Sequence, residues 1–346
     1  MKRILILRFS AMGDVVLLVP VVKSLTAAYP DVEVVIATRP KFGNFFVGMK
    51  NVHAFPADVD KTYTGFKGLY SLYKALLKVG PYDVVIDEHD HLRTWFLRFL
   101  FTLRGIKTIV FSKGRKEKKA FTRKENKITT PLPHTVDRYH EALTRAGFQF
   151  DIPKGVAFLD TPTVPTEWLN KNENPQPHWI GIAPFAMHQS KIWPLENYTK
   201  LFSLLIEKLP VKFFLFGGGK KEIEFFESLE QQFPNHCEVV AGKMRLPEEL
   251  ALMKKLTLMV CVDSSNMHLA TLVNTPLLSI WGGTHPDVGF GPYGYDQHSI
   301  IQIDRTELSC RPCSVYGKAT CYRGDFACMH LIKPEAVALR IIQTLV

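Results

Sequence analysis

Asp14 and the run from Asp263 to His268 both stand where a strand turns into a helix. Gly13-Asp14 closes the first such turn, so Asp14 lies at the carboxyl edge of a sheet and points into the cleft where α/β folds bind ligands. An aspartate so placed can also do no more than complement a helix dipole. In the second stretch, the cap-type residues Ser264, Ser265 and Asn266 follow a buried strand and open a short helix, with His268 one turn in. Free backbone N–H groups and the positive end of the dipole make such a terminus a seat for a phosphate group, with His268 as a further donor. The same residues equally fit an ordinary capped turn. Two other clusters have the composition of metal sites. Asp87-Glu88-His89-Asp90-His91 are consecutive, without the spacing that puts ligands on one helical face, and read as a polar loop. Cys310-x2-Cys313-x7-Cys321-x6-Cys328 leaves open a structural zinc site, two bridges or free thiols.

The elements that must position these residues alternate between short apolar runs and amphipathic stretches. Strands are expected over 3–7, 32–37, 52–55 and 83–86, with helices over 15–29, 68–79 and 134–147. Pro20 should kink the first helix. This is a doubly wound α/β pattern. The aromatic segment 95–101, flanked by Arg93, Arg104 and Lys107, is either core on one side or a surface resting on lipid headgroups. The charged run 113–124 is too polar to be packed and reads as a solvated loop. After a Pro-, Thr- and Asn-rich linker the alternation restarts at 179–184 and passes through Lys191 into a helix over 195–209. It then returns at 211–216 and continues to strands 258–262 and 277–281. Gly217-Gly218-Gly219 has neither the spacing of a dinucleotide site nor that of a P-loop.

A chain of 346 residues with 46% hydrophobic content can bury about two domain cores. The net charge of +10 favours a polyanionic partner. Arg8 and Asp14 interrupt the apolar start, so it does not read as a signal peptide, and no window approaches the roughly 18 apolar residues of a spanning helix. A cytoplasmic protein is expected, touching a membrane only peripherally.

The segments ILILRFSAMGDVVLLVPVVKSL, YDVVIDEHDHLRT, HTVDRYHEAL, KIWPLENY, FGGGKKE and VDSSNMHLATLVNTPLLSIWGGTHP with GPYG span nearly the whole chain in this order. Together they resemble glycosyltransferase family 9, the lipopolysaccharide heptosyltransferases. The resemblance implies the GT-B fold, two facing Rossmann-like domains with doubly wound parallel sheets. Residues 1–160 would hold the acceptor, 161–178 the linker and 179–333 the nucleotide-sugar, with a helix over 334–346 packing back on the first domain. It further implies Asp14 as the base that takes the acceptor proton and Lys191 as the cation on the donor phosphates. Asp263, Ser264, Ser265, Asn266 and His268 would cradle the diphosphate, with Met244 lining the adenine pocket and Glu222 on the ribose. Gly13, Asp87, Arg93 and Arg138 stand where acceptor contacts are expected. With Lys191 and a helix terminus on the diphosphate, neither a metal nor a cofactor is expected, and the outcome would be inversion at the anomeric carbon.

The implied partners are ADP-heptose, a phosphorylated lipid A/core acceptor and the inner face of the cytoplasmic membrane. Ser265 stands where the family usually has glycine, and the Asp87–His91 loop departs from the more neutral family sequence. Those departures favour a second reading, transfer of another nucleotide-sugar to a capsule or surface glycan. A third, a non-catalytic polyanion binder, ranks last, and no nucleic-acid module is present to make nucleic acid the partner.

Overall fold

The computed structural model describes residues 2–166, 168, 178–318 and 320–346. The chain divides into two compact units, Met1–Gly114 with Pro133–Pro153, and Arg115–Leu132 with Lys154–Val346.

In the first unit β1 (Lys2–Leu7) leads through α1 (Met12–Val16) and α2 (Val19–Ala28) to β2 (Val32–Thr38) and β3 (Val52–Pro56). There follow α3 (Gly65–Val79), β4 (Val84–Asp87), α4 (Leu92–Leu103) and β5 (Lys107–Val110). All five strands pair in parallel, in the order β3-β2-β1-β4-β5. Their runs are apolar on both faces because a parallel sheet is covered on both. Leu5, Leu7, Val35 and Val85 face one side, packed with Leu69, Leu72, Leu97 and Phe101 of α3 and α4. The helix expected over 15–29 is two helices. Pro20 sits in the first turn of α2, where its missing N–H leaves no carbonyl unpaired.

The charged run is not a solvated loop. Its centre is a helix, α5 (Arg115–Thr122), that packs in the second unit. Phe121 is fully buried, and Lys118, three residues before it on the same face, lays its stem inward with Nζ 4.1 Å over the Phe290 ring. The chain then returns to the first unit as α6 (Thr135–Arg145).

The second unit runs β6 (His178–Ala183), α7 (Glu196–Ile206), β7 (Val211–Leu215), α8 (Lys220–Gln232), β8 (Cys237–Val239) and α9 (Leu246–Lys255). It continues with β9 (Leu258–Val262), α10 (Ser265–Leu272), β10 (Leu277–Trp281), β11 (Ile300–Gln302), α11 (Ala327–His330) and α12 (Pro334–Leu345). Its strands are parallel in the order β11-β10-β9-β6-β7-β8. In each sheet the direction of winding reverses beside one strand pair, β1/β4 in the first and β6/β9 in the second, and the residues of chemical interest follow those strands.

Residues 154–160 pack with the second unit, where Phe158 and Leu159 are buried and the Phe158 N–H donates to the Leu272 carbonyl at 2.7 Å. The last helix also belongs to that unit. Its Val337, Ala338 and Ile341 join Leu201, Phe202 and Leu205 of α7 in one core, and Glu335 pairs with Lys200. Residues 167 and 169–177 of the expected linker lie outside the described residues.

Candidate active site

In the first unit, Arg8 leaves the end of β1 and Asp14 enters α1, so one turn brings them together. Arg8 Nη2 lies 2.6 Å from Asp14 Oδ2, and the same oxygen accepts the Ala11 N–H at 3.2 Å. Arg8 is buried, its Nη1 donates to the Glu88 carbonyl, and its guanidinium carbon is 6.0 Å from the Phe111 ring and 5.7 Å from the Tyr139 ring. Burial, the largest single influence, works against the Arg8 charge, but Asp14 together with Tyr139 and Glu88 outweighs it and the pKa rises. Asp14 keeps 26% of its side chain exposed against 6% for Arg8. The acid is therefore the member of the pair that a ligand can reach.

The loop after β4 is built on buried groups. Asp87 is fully buried, with Oδ1 accepting the N–H groups of His89 at 3.0 Å and Asp90 at 2.8 Å, and Oδ2 3.3 Å from Arg98 Nη1. Glu88 is also fully buried, and among the described residues neither of its carboxyl oxygens has a hydrogen-bond partner. Burial raises its pKa well above the ordinary value and favours the neutral acid. His89 Nδ1 accepts the Phe9 N–H at 3.0 Å, which puts the ring proton on Nε2. Burial, then Arg8, pushes its pKa down to about 2.

Of the residues expected to meet an acceptor, Gly13 lies partly exposed in α1, and Arg93 is partly exposed with Nη1 3.6 Å from Asp60. Asp87 and Arg138 are not presented to solvent. Arg138 is 4% exposed and donates to the carbonyls of Pro133 at 3.2 Å and Ser112 at 3.4 Å, so both hold loops in place.

In the second unit, β6 runs into a 3-10 turn, Gln189–Lys191, and β9 ends at Asp263. The two strands are neighbours, which sets Lys191 Nζ 2.8 Å from Asp263 Oδ2. Thr284 donates its hydroxyl to the same oxygen at 2.6 Å. Here the exposures are inverted: Lys191 keeps 16% and Asp263 only 8%. Gly317, at φ +85°, lies so close to Lys191 that a Cβ there would stand 2.9 Å from the lysine Cε. Ser190 joins that loop to the end of β10, donating to the Gly317 carbonyl at 2.9 Å and accepting the Gly283 N–H at 2.9 Å. Arg311 anchors the loop from below. It is 1% exposed, and donates to the carbonyls of Gly282 (2.6 Å), Trp281 (3.2 Å), Thr284 (3.2 Å) and Ile303 and to Gln302 Oε1 (3.0 Å).

Ser264 occupies the cap position of α10 with extended backbone, yet its hydroxyl makes no cap bond and, among the described residues, has no hydrogen-bond partner although buried. An ordinary capped turn would have used it. Ser265 and Asn266 are partly exposed beside it, and His268 is 6% exposed. Glu222, in the first turn of α8, accepts the Gly218 N–H at 2.8 Å and thereby shapes the glycine turn after β7. Met244 is partly exposed in the turn before α9.

Arg8, Thr284 and Arg311 were not among the residues singled out from sequence. Arg8 left one signal, a lone cation at the end of an apolar strand. Arg311 left none, because most of its acceptors are main-chain carbonyls. Cys310, Cys313, Cys321 and Cys328 are free thiols, and among the described residues no group of three or more His, Cys, Asp or Glu is placed to hold a metal ion.

Residues 69–320 match the sequence model of Glycosyltransferase family 9 (heptosyltransferase), which is more than half of the chain. The chain belongs to that family. It is a glycosyltransferase, acting with a nucleotide-sugar donor. The lipopolysaccharide core heptosyltransferase OpsX of Haemophilus influenzae is 25% identical over 295 residues, 82% of this chain and 80% of that one. The family 9 glycosyltransferase of Veillonella parvula superposes with a TM-score of 0.74 at 19% identity, over 99% of this chain and 97% of that one. The Escherichia coli heptosyltransferase WaaC with ADP-2-deoxy-2-fluoro heptose gives 0.66 at 18% identity, over 99% of each chain. The fold is thus GT-B, with a parallel α/β sheet in each unit.

Proposed function

We propose that this glycosyltransferase moves heptose from ADP-heptose to the lipid A/core oligosaccharide in lipopolysaccharide biosynthesis, with inversion and without a metal. The acceptor hydroxyl oxygen bonds to the anomeric carbon as the bond from that carbon to the diphosphate oxygen breaks. The hydroxyl proton goes to Asp14. Oδ2 of Asp14 is held by Arg8 and Ala11, which leaves Oδ1 as the oxygen that takes it. ADP leaves with its new charge on Lys191 and on the N–H groups at the start of α10. Glu222 contacts the ribose and Met244 the adenine. The enzyme works in the cytoplasm, peripherally on the inner face of the membrane; among the described residues no helix is long and apolar enough to cross it.

The observation that carries this reading is the Lys191–Asp263 pair beside an open helix terminus whose Ser264 hydroxyl has no hydrogen-bond partner among the described residues. An ammonium beside a helix start that carries a hydroxyl and N–H groups is the donor set a diphosphate needs. The relatives, named as heptosyltransferases, support heptose as the sugar. Calorimetric titration with ADP, ADP-heptose, and GDP- and UDP-sugars, with and without EDTA, tests it. ADP binding that ignores EDTA and weakens in Lys191→Ala is the expected result. Preference for another nucleotide would favour the second reading, which Ser265 at the phosphate turn supports. Absence of nucleotide binding would overturn both.

A further inference from the structure

The helix α4 has two apolar faces. One carries Thr94, Leu97 and Phe101 and is buried against the sheet. The other carries Leu92 (68% exposed), Trp95 (43%), Phe99 (58%) and Leu103 (69%), at spacings of three and four that align them along the outside. The sheet needs only the first. On α3, Phe66 is 76% and Tyr70 44% exposed, and the Phe66 ring meets Phe96 of α4 edge-on at 5.4 Å, so the two outer faces form one patch. Single exposed apolar residues are ordinary, but a joined patch of large ones marks a docking surface.

The charges on the two helices themselves are of one sign, while Asp90, which accepts the Trp95 Nε1–H, and Asp60, beside Arg93, stand at the edge of the patch. α3 carries Lys67, Lys74 and Lys78, α4 is followed by Arg104 and Lys107, and neither helix contains an acidic residue. Lys74 holds its ammonium 4.7 Å over the Tyr70 ring, at the border between apolar patch and basic rim. A second copy of the chain docked through this face would set basic rim against basic rim, which disfavours it. A surface with anionic headgroups over acyl chains is complementary to both parts: aromatic rings enter the headgroup boundary while lysine and arginine stems reach back to the phosphates. We infer that the outer face of α3 and α4 docks this enzyme on an anionic lipid bilayer. The inference rests on the proposal above that the acceptor is a membrane glycolipid.

The test is sedimentation of the full chain with vesicles of phosphatidylcholine alone, or with about one-third phosphatidylglycerol. Binding is expected to the anionic vesicles, falling with salt. The triple variant Phe66→Ser, Phe99→Ser, Leu103→Ser should weaken it about tenfold or more, and Lys67→Glu with Lys74→Glu comparably. Trp95 is left in place because its Nε1 donates to Asp90 at 2.6 Å. Melting temperature, ADP affinity and turnover of a deacylated, water-soluble acceptor should be unchanged in both variants, which separates docking from folding and from chemistry. No binding of the wild type to anionic vesicles, or equal binding by the triple variant, overturns the inference. So does a triple variant that turns a dimer into a monomer in sedimentation velocity, since the face would then belong to a second copy. Loss of ADP binding by the wild type would sink the transferase reading and leave the vesicle result standing on its own.

Discussion

Each unit sets a carboxylate against a cation at nearly the same distance, 2.6 Å for Asp14–Arg8 and 2.8 Å for Asp263–Lys191, and the two pairs differ in which member is exposed. In the first the cation is the buried member and the acid is reachable; in the second the acid is buried and the cation is reachable. Burying an arginine is the more secure choice for a fixed countercharge, because it does not titrate. A buried aspartate is kept in place by a second donor, the Thr284 hydroxyl. One architecture thus presents a carboxylate to solvent in one unit and an ammonium in the other.

The largest expected effects separate the two. Asp14→Asn should lower kcat by about 10²–10⁴ and leave ADP affinity within about twofold. Lys191→Ala should lower kcat by about 10²–10³ and also weaken ADP in calorimetry. Equal loss of ADP affinity in both variants would erase the distinction. Next, Arg8→Met should lower kcat by about ten- to a hundredfold with ADP affinity kept, through loss of the group that orients Asp14, and Arg8→Lys should restore part of it. An Arg8→Met enzyme with full turnover would reduce the first pair to a surface ion pair.

The turn after β9 was readable in the sequence because it is contiguous. Strand, cap residues and helix follow one another from Leu258 to Leu272, and both flanking strands, β9 and β10, have the bounds the apolar runs suggest. The Asp14 turn is equally local. What joins Lys191 to Asp263 is not local at all: β6 and β9 become neighbours only through the sheet order, which no spacing records. The helix α5 was hidden because Lys118 and Phe121 carry its packing face inside a run that is otherwise charged. The amphipathic pattern of α12 announces a helix but not which core receives it. Arg311 was invisible for a different reason. Its role is fixed by carbonyls, which every residue has.

A smaller effect concerns the surroundings of the first pair. Glu88 is buried behind Arg8, with its pKa raised by burial. The unfolded chain releases that proton near the ordinary carboxylate value, so the unfolded state binds fewer protons at neutral pH and stability falls as pH rises toward the raised folded value. The contribution is complete below the ordinary value and shrinks above it, by up to about 1.4 kcal/mol per pH unit for one proton. Glu88→Gln has no proton to lose. Urea unfolding between pH 5 and 8 should show a flatter profile for the variant than for the wild type, and parallel profiles would mean that Glu88 ionises in the folded protein without penalty.

The smallest effect concerns Ser265, in the place where family resemblance expects glycine. It opens α10 with ordinary negative φ, since it is not among the residues of positive φ, so its Cβ is accommodated without backbone strain. Glycine is therefore not required by the turn itself. What the Cβ can change is the approach of a ligand to the helix terminus. If the turn takes the diphosphate as it stands, Ser265→Gly should alter ADP affinity by no more than about threefold and lower stability by about 0.5–1 kcal/mol. A gain of more than about tenfold in affinity would mean that the side chain narrows the phosphate seat. The second unit would then select its donor by exclusion at Ser265 as well as by attraction at Lys191, a constraint with no counterpart at the Asp14 turn.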